Sequence, residues 1–424
     1  MELPSTLTLG LILLLQAGCG LFDQSDIESF TLTPISAVEV ALEIRADAGD
    51  NIRVERDGKE ICAFRMSRKD TVIYDSGLTP ATSYIWKVTN ESSRRDRSKE
   101  RQATTYSTTS SDFTWQTFSF GEHSSSVLYG VSIIDENNIW AVGEIYMNDS
   151  TGQADDDAFN AAHWNGEGWE LMKLQFYTFC NQSSTGSYRV TSILAFSEDD
   201  IWASSLSQVT RLGGTGQELT ECIPTSVNKL WGTDNNNIYA VGKNSTISHY
   251  NGQTWQKIET GTELDIVDIH GNTEQGVVAV ASKLFESSDN AILKINENNT
   301  VDLLSNEGIP GAIESIWFDE SGVSYIVGVG MFRKSNLAAS ENWRSFRQGI
   351  SDNYMFDIDA NGLNDIMVSG DTGELLHFNG AGWTSFKNGF RGYLYAVDVY
   401  ANLAVAVGFD GGRAIIMLGV RENE

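Results

Sequence analysis

Ser248-His249-Tyr250-Asn251-Gly252-Gln253-Thr254-Trp255 is the stretch from which the rest of the chain can be read. A strand ends at Tyr250, Asn-Gly supplies the two positive-φ positions that a type I′ hairpin requires, and a second strand restarts near Trp255. Two relatives of this hairpin occur elsewhere: His163-Trp164-Asn165-Gly166 ahead of Trp169, and His377-Phe378-Asn379-Gly380 ahead of Trp383. The three histidines lie 86 and 128 residues apart, about two and three times a unit of roughly 43 residues, the length of one four-stranded propeller blade. The chain is therefore a repeat array.

One unit reads as four strands. Val227-Asn228-Lys229-Leu230-Trp231-Gly232 is the inner strand, Ile238-Tyr239-Ala240-Val241-Gly242 the second, and the two arms of the hairpin the third and fourth. The second strand recurs as Ile139-Trp140-Ala141-Val142-Gly143, Ile201-Trp202-Ala203-Ser204, Tyr325-Ile326-Val327-Gly328 and Ala404-Val405-Ala406-Val407-Gly408. Its small final residue is expected to let neighbouring sheets approach face to face. Blades are expected to begin near Leu128, Val190, Val227, Leu264, Ile313, Tyr354 and Leu394. The last lacks a fourth strand, and Phe113-Thr114-Trp115-Gln116-Thr117-Phe118 resembles one upstream, so a seven-bladed ring closed by that segment is expected. The hairpin strings resemble the Asp-box of sialidase-type and photosystem-assembly-factor-like propellers, with Tyr250, Trp164 and Phe378 in the Asp slot. That resemblance implies the fold and carries no catalytic residue.

Ahead of the array, residues 26–106 alternate short strands with turns. Gly77-Leu78-Thr79-Pro80-Ala81-Thr82-Ser83-Tyr84 resembles the corner segment of a fibronectin type III domain, in which the Leu fills the core and the Tyr hydroxyl bonds back to the upstream backbone. Residues 107–111 read as a linker and 112–424 as the β-propeller. The fold class is all-β, a small sandwich followed by a propeller.

The apolar run Leu7 to Leu15, with Ala17-Gly18 before Cys19, resembles a bacterial lipoprotein signal. The resemblance implies cleavage after residue 18, a lipid on Cys19, a tether over 19–25 and a place in the cell envelope, at the outer membrane or cell surface. Of the other cysteines, Cys180 and Cys222 flank one blade and are expected to pair in an oxidising compartment. Net charge is −28, from 57 acidic and 29 basic side chains, which excludes nucleic acid as a partner.

Two segments break the repeat period: an acidic insertion over 144–160 containing Asp155, Asp156 and Asp157, and an aromatic one containing Phe176, Tyr177, Phe179 and Cys180. Departures from a strict unit gather on the working face, so these residues are the expected contacts for a protein or glycan partner. The recurring histidines fall on different blades and cannot converge on one ion. Neither a metal nor a cofactor is expected. Arg189, Arg211, Arg333, Arg344, Arg391 and Arg413 follow no pattern that would gather three on one face, as a sialidase-like site requires. A non-catalytic envelope lipoprotein is the leading expectation, with a glycan-processing enzyme or a structural assembly factor as alternatives.

Overall fold

The computed structural model describes residues 26–92, 97–180, 182–214, 216–283, 289–346, 349–386 and 389–422. Cys19 and the signal-like segment lie outside the described residues. Strands between Ser29 and Thr104 form a three-stranded and a four-stranded sheet packed around Leu42, Ile44, Leu78, Trp86 and Val88. The Tyr84 hydroxyl accepts the Thr79 N–H at 2.9 Å, which fastens the corner, and the Trp86 indole donates to Asp75 at 2.8 Å.

Among the described residues, seven four-stranded antiparallel sheets follow. Their inner strands are Val127–Asp135, Ser192–Ser197, Val227–Asp234, Asp265–Asn272, Ile313–Phe318, Met355–Gly362 and Tyr393–Tyr400. The seventh sheet is completed by Phe113–Phe120, which pairs with Arg413–Arg421 from Phe113↔Arg421 to Phe120↔Ala414. Closure leaves the ring without an open sheet edge at its seam. Arg421 reinforces it by donating two hydrogen bonds to Asp365 of the sixth blade, at 2.8 and 2.7 Å.

The hairpin histidines serve their own blades. His249 stacks on Tyr239 at 4.2 Å and bonds Asn237 at 2.8 Å. His163 stacks on Trp140 and meets Asn138 at 3.0 Å, and His377 meets Asp365 at 2.8 Å. The indole N–H groups of Trp169, Trp255 and Trp383 are buried without an oxygen acceptor. Beside each, 5.2 to 5.7 Å away, lies the aromatic ring that stands in the Asp slot, so the hairpin has exchanged a polar contact for aromatic packing.

The small residue ending the second strand has a different role from the one expected. A Cβ on Gly143, Gly242 or Gly408 would lie 2.0, 1.8 and 1.8 Å from the carbonyl oxygens of Val127, Ser226 and Tyr393. These atoms belong to the start of the same blade's inner strand, or to the residue before it, and not to a neighbouring sheet. There the register skips one residue: Tyr129, Asn228, Val267, Glu314, Phe356 and Tyr395 have no cross-strand partner in the first, third, fourth, fifth, sixth and seventh blades. Each is a β-bulge that turns a side chain out of the ladder.

The sandwich is docked, not suspended. Glu39 pairs with Arg333, both buried, Arg344 lies 3.7 Å from the Tyr74 ring, and the Tyr74 hydroxyl donates to Glu341 at 2.5 Å. Ile35 and Ala41 share a core cluster with Trp317, Tyr325, Ile358 and Phe378 of the fifth and sixth blades. Residues 107–111 are equally engaged. Asn364 donates to the Ser107 carbonyl at 2.8 Å, Thr109 donates to the Asn379 carbonyl at 3.2 Å, and Ser111 meets His377 at 2.8 Å.

Candidate functional site

The bulge residues converge. Tyr129, Asn228, Val267, Glu314, Phe356 and Tyr395, joined by Thr191 from the second blade, line a cavity of 210 Å³ at one mouth of the central channel. Lys229, Asp268 and Asp357 lie in the same lining. One wall is aromatic: Tyr395 lies 5.5 Å from Tyr129 and 5.1 Å from Phe356, and Tyr393 is 5.5 Å from Phe356. The opposite wall is already committed to the ring, since Thr191 and Asn228 donate to the Val227 and Ile266 carbonyls of the next blade at 2.9 Å each.

Below the mouth, carboxylates tie adjacent blades together. The inner edge of each innermost strand faces the channel, so its N–H groups need acceptors. Asp268 accepts from Ile316 N–H at 2.9 Å, Asp357 from Val397 at 3.1 Å, Asp359 from Val399 at 2.8 Å and Asp398 from Ile133 at 2.6 Å. Every one of these bonds reaches from one blade to the next. Lys229 is the cation among them, 3.7 Å from Asp357 and 3.9 Å from Asp268. Its partly exposed side chain faces the lumen. Burial opposes its charge, but Asp357, Asp268, Asp359 and Asp398 together hold its pKa above that of a free lysine.

One lysine among so many carboxyls leaves the channel short of positive charge. Burial raises Asp357 and Asp398, and burial together with the Asp398 charge pushes Asp359 well above the carboxylate range. Burial also drives His270 down to about 4, so it adds no cation at neutral pH. Glu314 is pushed up to about 7 by burial, with Asp268 nearby and the Tyr354 hydroxyl donating to it at 2.5 Å. Burial and the Glu314 charge raise the Tyr354 phenol in turn. That makes it a hydrogen-bond donor and a poor nucleophile. Neither Arg189, Arg211, Arg333, Arg344, Arg391 nor Arg413 lines the cavity itself.

The two insertions leave the sheets at this same end. Glu144, at the close of the first blade's second strand, pairs with Val127 at the start of its inner strand, and Met172 at the end of its fourth strand pairs with Ala161. The segments beyond Glu144 and Met172 thus emerge on the mouth face. The Asn379-Gly380 hairpin, where Ala37 donates to the Gly380 carbonyl at 2.9 Å, belongs to the opposite face. Sandwich and mouth are on opposite sides of the disc.

The expected contact residues are distributed unevenly. Phe176 requires correction: it is fully buried with Trp140, Val142, Leu174 and Val190 between the first two blades. Period-two alternation sends Leu174 and Phe176 inward. Asn160 clamps the segment, accepting from Leu174 N–H at 2.7 Å and donating to the Leu174 and Tyr188 carbonyls at 2.8 Å. Tyr177 is half-buried, its backbone held by Gln208 at 2.8 and 2.9 Å, whereas Phe179 stays 64% exposed. Cys180 and Cys222 are joined, with Cα atoms 6.0 Å apart. Asp155 pairs with Lys173 at 2.6 Å, leaving Asp156 and Asp157 exposed. Among the described residues, no three His, Cys, Asp or Glu side chains are grouped to hold a metal ion.

The channel residues were missed by sequence reasoning, though a signal existed. Aligning the inner strands puts Lys229, Asp268 and Asp357 at one position and Asn228, Glu314 and Tyr395 at the position before it. Charged residues inside strands that must face the centre of a ring mark a channel.

No protein-family profile matches the sequence, and no curated protein matches it significantly. Solved structures of similar fold include YCF48 bound to D1 peptide, at 16% identity over 74% of this chain and 100% of that one, with a TM-score of 0.54. YCF48 from Cyanidioschyzon merolae has 14% identity, covers 72% and 98% of the two chains and has a TM-score of 0.53. A catalytically inactive virginiamycin B lyase from Staphylococcus aureus with quinupristin has 11% identity, covers 72% and 99%, and has a TM-score of 0.55. The fold is a multi-bladed β-propeller resembling the YCF48 type.

Proposed function

We propose that this chain is a non-catalytic binding protein of the assembly-factor kind, holding a polypeptide partner at the channel mouth. The observation that carries this reading is the convergence on one face of the bulge residues and both insertions, with the sandwich docked on the other. A rigid disc presenting a preformed, partly aromatic concavity loses little entropy on binding. YCF48, a propeller of the same general fold, has been solved with a peptide bound. A sialidase-like activity finds less support, because the arginines that would clamp a carboxylate substrate are engaged elsewhere: Arg211 with Asp200, Arg333 with Glu39 and Arg189 with Glu144.

We further propose that the protein is exported and lipid-anchored through Cys19, with the sandwich on the tether side and the mouth directed away from the membrane. The Cys180–Cys222 bond suits an oxidising compartment. Two experiments test the reading. Phe356→Ala combined with Tyr395→Ala should abolish partner capture from envelope extracts while the folding transition stays cooperative; undiminished capture would refute the mouth as the site. Cys19→Ser should release the protein into the soluble fraction, and unchanged membrane association would refute the anchor.

A further inference from the structure

Glu314 differs from the channel aspartates in the bond it makes to the next blade. Asp268, Asp357, Asp359 and Asp398 each accept a backbone N–H from the following blade. The hydrogen bond to Glu314 comes from a hydroxyl, that of Tyr354. Among the described residues no cation pairs with it, Lys229 being held between Asp268 and Asp357. It lines the mouth together with the rings of Phe356 and Tyr395.

Three properties of this place fix the chemistry it accepts. Its 210 Å³ falls below the roughly 300 to 1,000 Å³ of pockets for whole small molecules, so it suits a group the size of one side chain. Its charge is wrong for an anion, which would meet Asp268, Glu314 and Asp357, and an apolar group would leave Glu314 desolvated and unpaired. Its wall is aromatic, and ring faces attract cations more strongly where water is excluded. A cation already sits against this wall: Arg189 lies 5.2 Å from the Tyr129 ring, neutralised by Glu144 at 2.7 Å. Among the described residues no lysine or arginine lies over the Phe356 or Tyr395 ring or pairs with Glu314. The net charge of −28 steers basic partners toward the protein.

We propose that the mouth receives one cationic side chain, lysine or arginine, from the polypeptide partner, seated on Phe356 and Tyr395 and paired with Glu314. This rests on the protein-binding reading above and specifies what the partner must carry.

The probe is a blocked pentapeptide with a central lysine flanked by glycines, compared calorimetrically with the same peptide carrying norleucine. The lysine peptide should bind saturably in the millimolar range and the norleucine peptide at least about tenfold more weakly, a difference near 1.4 kcal/mol. Glu314→Gln, which keeps an acceptor for Tyr354, should erase that discrimination. Equal binding of the two peptides, an unchanged preference in Glu314→Gln, or no binding of either at roughly 10 mM would overturn the inference. If capture of the natural partner still required Phe356 and Tyr395 in that event, the protein-binding reading would survive; if capture did not require them, that reading would itself be wrong.

Discussion

The Tyr354 hydroxyl donates to Glu314 across the gap between the sixth and fifth blades, at 2.5 Å. Burial, with the Asp268 charge adding to it and the Tyr354 hydrogen bond opposing it, holds this carboxyl partly protonated near neutrality, so its ionisation bears on stability. In the unfolded chain Glu314 ionises near 4.5, whereas in the folded protein it keeps its proton to about 7. The unfolded state therefore binds fewer protons between those values, and folding stability falls as pH rises through that window, by on the order of 3 kcal/mol. Glu314→Gln should match the wild type in urea denaturation below pH 4.5 and exceed it above pH 7. Equal stability at pH 8 would show that burial costs Glu314 nothing.

The same group sets the pH dependence of binding. Facing Glu314 are Tyr354, Asp268, Asp357 and Lys229, and Glu314 is pushed up to about 7 by burial. A cation needs the ionised form, so affinity for the lysine peptide should rise from pH 6 to pH 8 and then level off. A flat profile in calorimetric titrations would remove Glu314 from the site.

The repeated glycine ending the second strand predicts a steric outcome. Gly242→Ala would bring a methyl carbon 1.8 Å from the Ser226 carbonyl oxygen, forcing the bulge to move at a cost of about 2 kcal/mol or more. Gly168→Ala, with nothing within 4 Å of the new atom, serves as the control and should leave the unfolding free energy within about 0.5 kcal/mol of wild type.

Arg421 is expected to matter beyond its place in the last strand. Burial alone would raise Asp365, but hydrogen bonds from His377 and Arg421 hold it well below the usual carboxylate range. Arg421→Met should destabilise the ring by about 3 to 5 kcal/mol at neutral pH, because a buried carboxylate loses its guanidinium. A depressed carboxyl contributes stability above its unfolded pKa of 3.8 that is lost as pH falls below it, so the deficit of the variant should shrink in acid.

Much of this architecture was legible because its signals are local. The Asn-Gly hairpins, the Ile-Tyr-Ala-Val-Gly strands and the stray Phe113–Phe118 segment each report on a few neighbouring residues, and the strand starts expected at Leu128, Val190, Val227, Ile313, Tyr354 and Leu394 fall within two residues of those observed. The hairpins are in the expected places but are not type I′ turns: only the glycine of each pair has positive φ, and the loop closes from the Asn N–H to the carbonyl three residues on. The site was not legible in the same way. Glu314, Phe356 and Tyr395 come from three blades, and a one-residue bulge, invisible to period-two counting, is what turns them into the mouth. Phe176 misled because an aromatic in an insertion reads as exposed until Asn160 is seen folding the segment back on the core. The seam between Glu39 and Arg333 joins residues nearly three hundred positions apart, and no local pattern announces it.

The proposed partner should lie over the bulge residues and not over the opposite face. Benzoylphenylalanine, a photo-crosslinking amino acid, placed at Tyr395 in one variant and at Tyr400 in another, distinguishes the two. Both sit on the inner strand Tyr393–Tyr400, about 17 Å apart along it, and Tyr400 is 52% exposed at the far end. Irradiation in cells should yield a protein adduct from position 395 and none from position 400. An adduct from position 400 alone would put the partner on the opposite face and refute the mouth as its site.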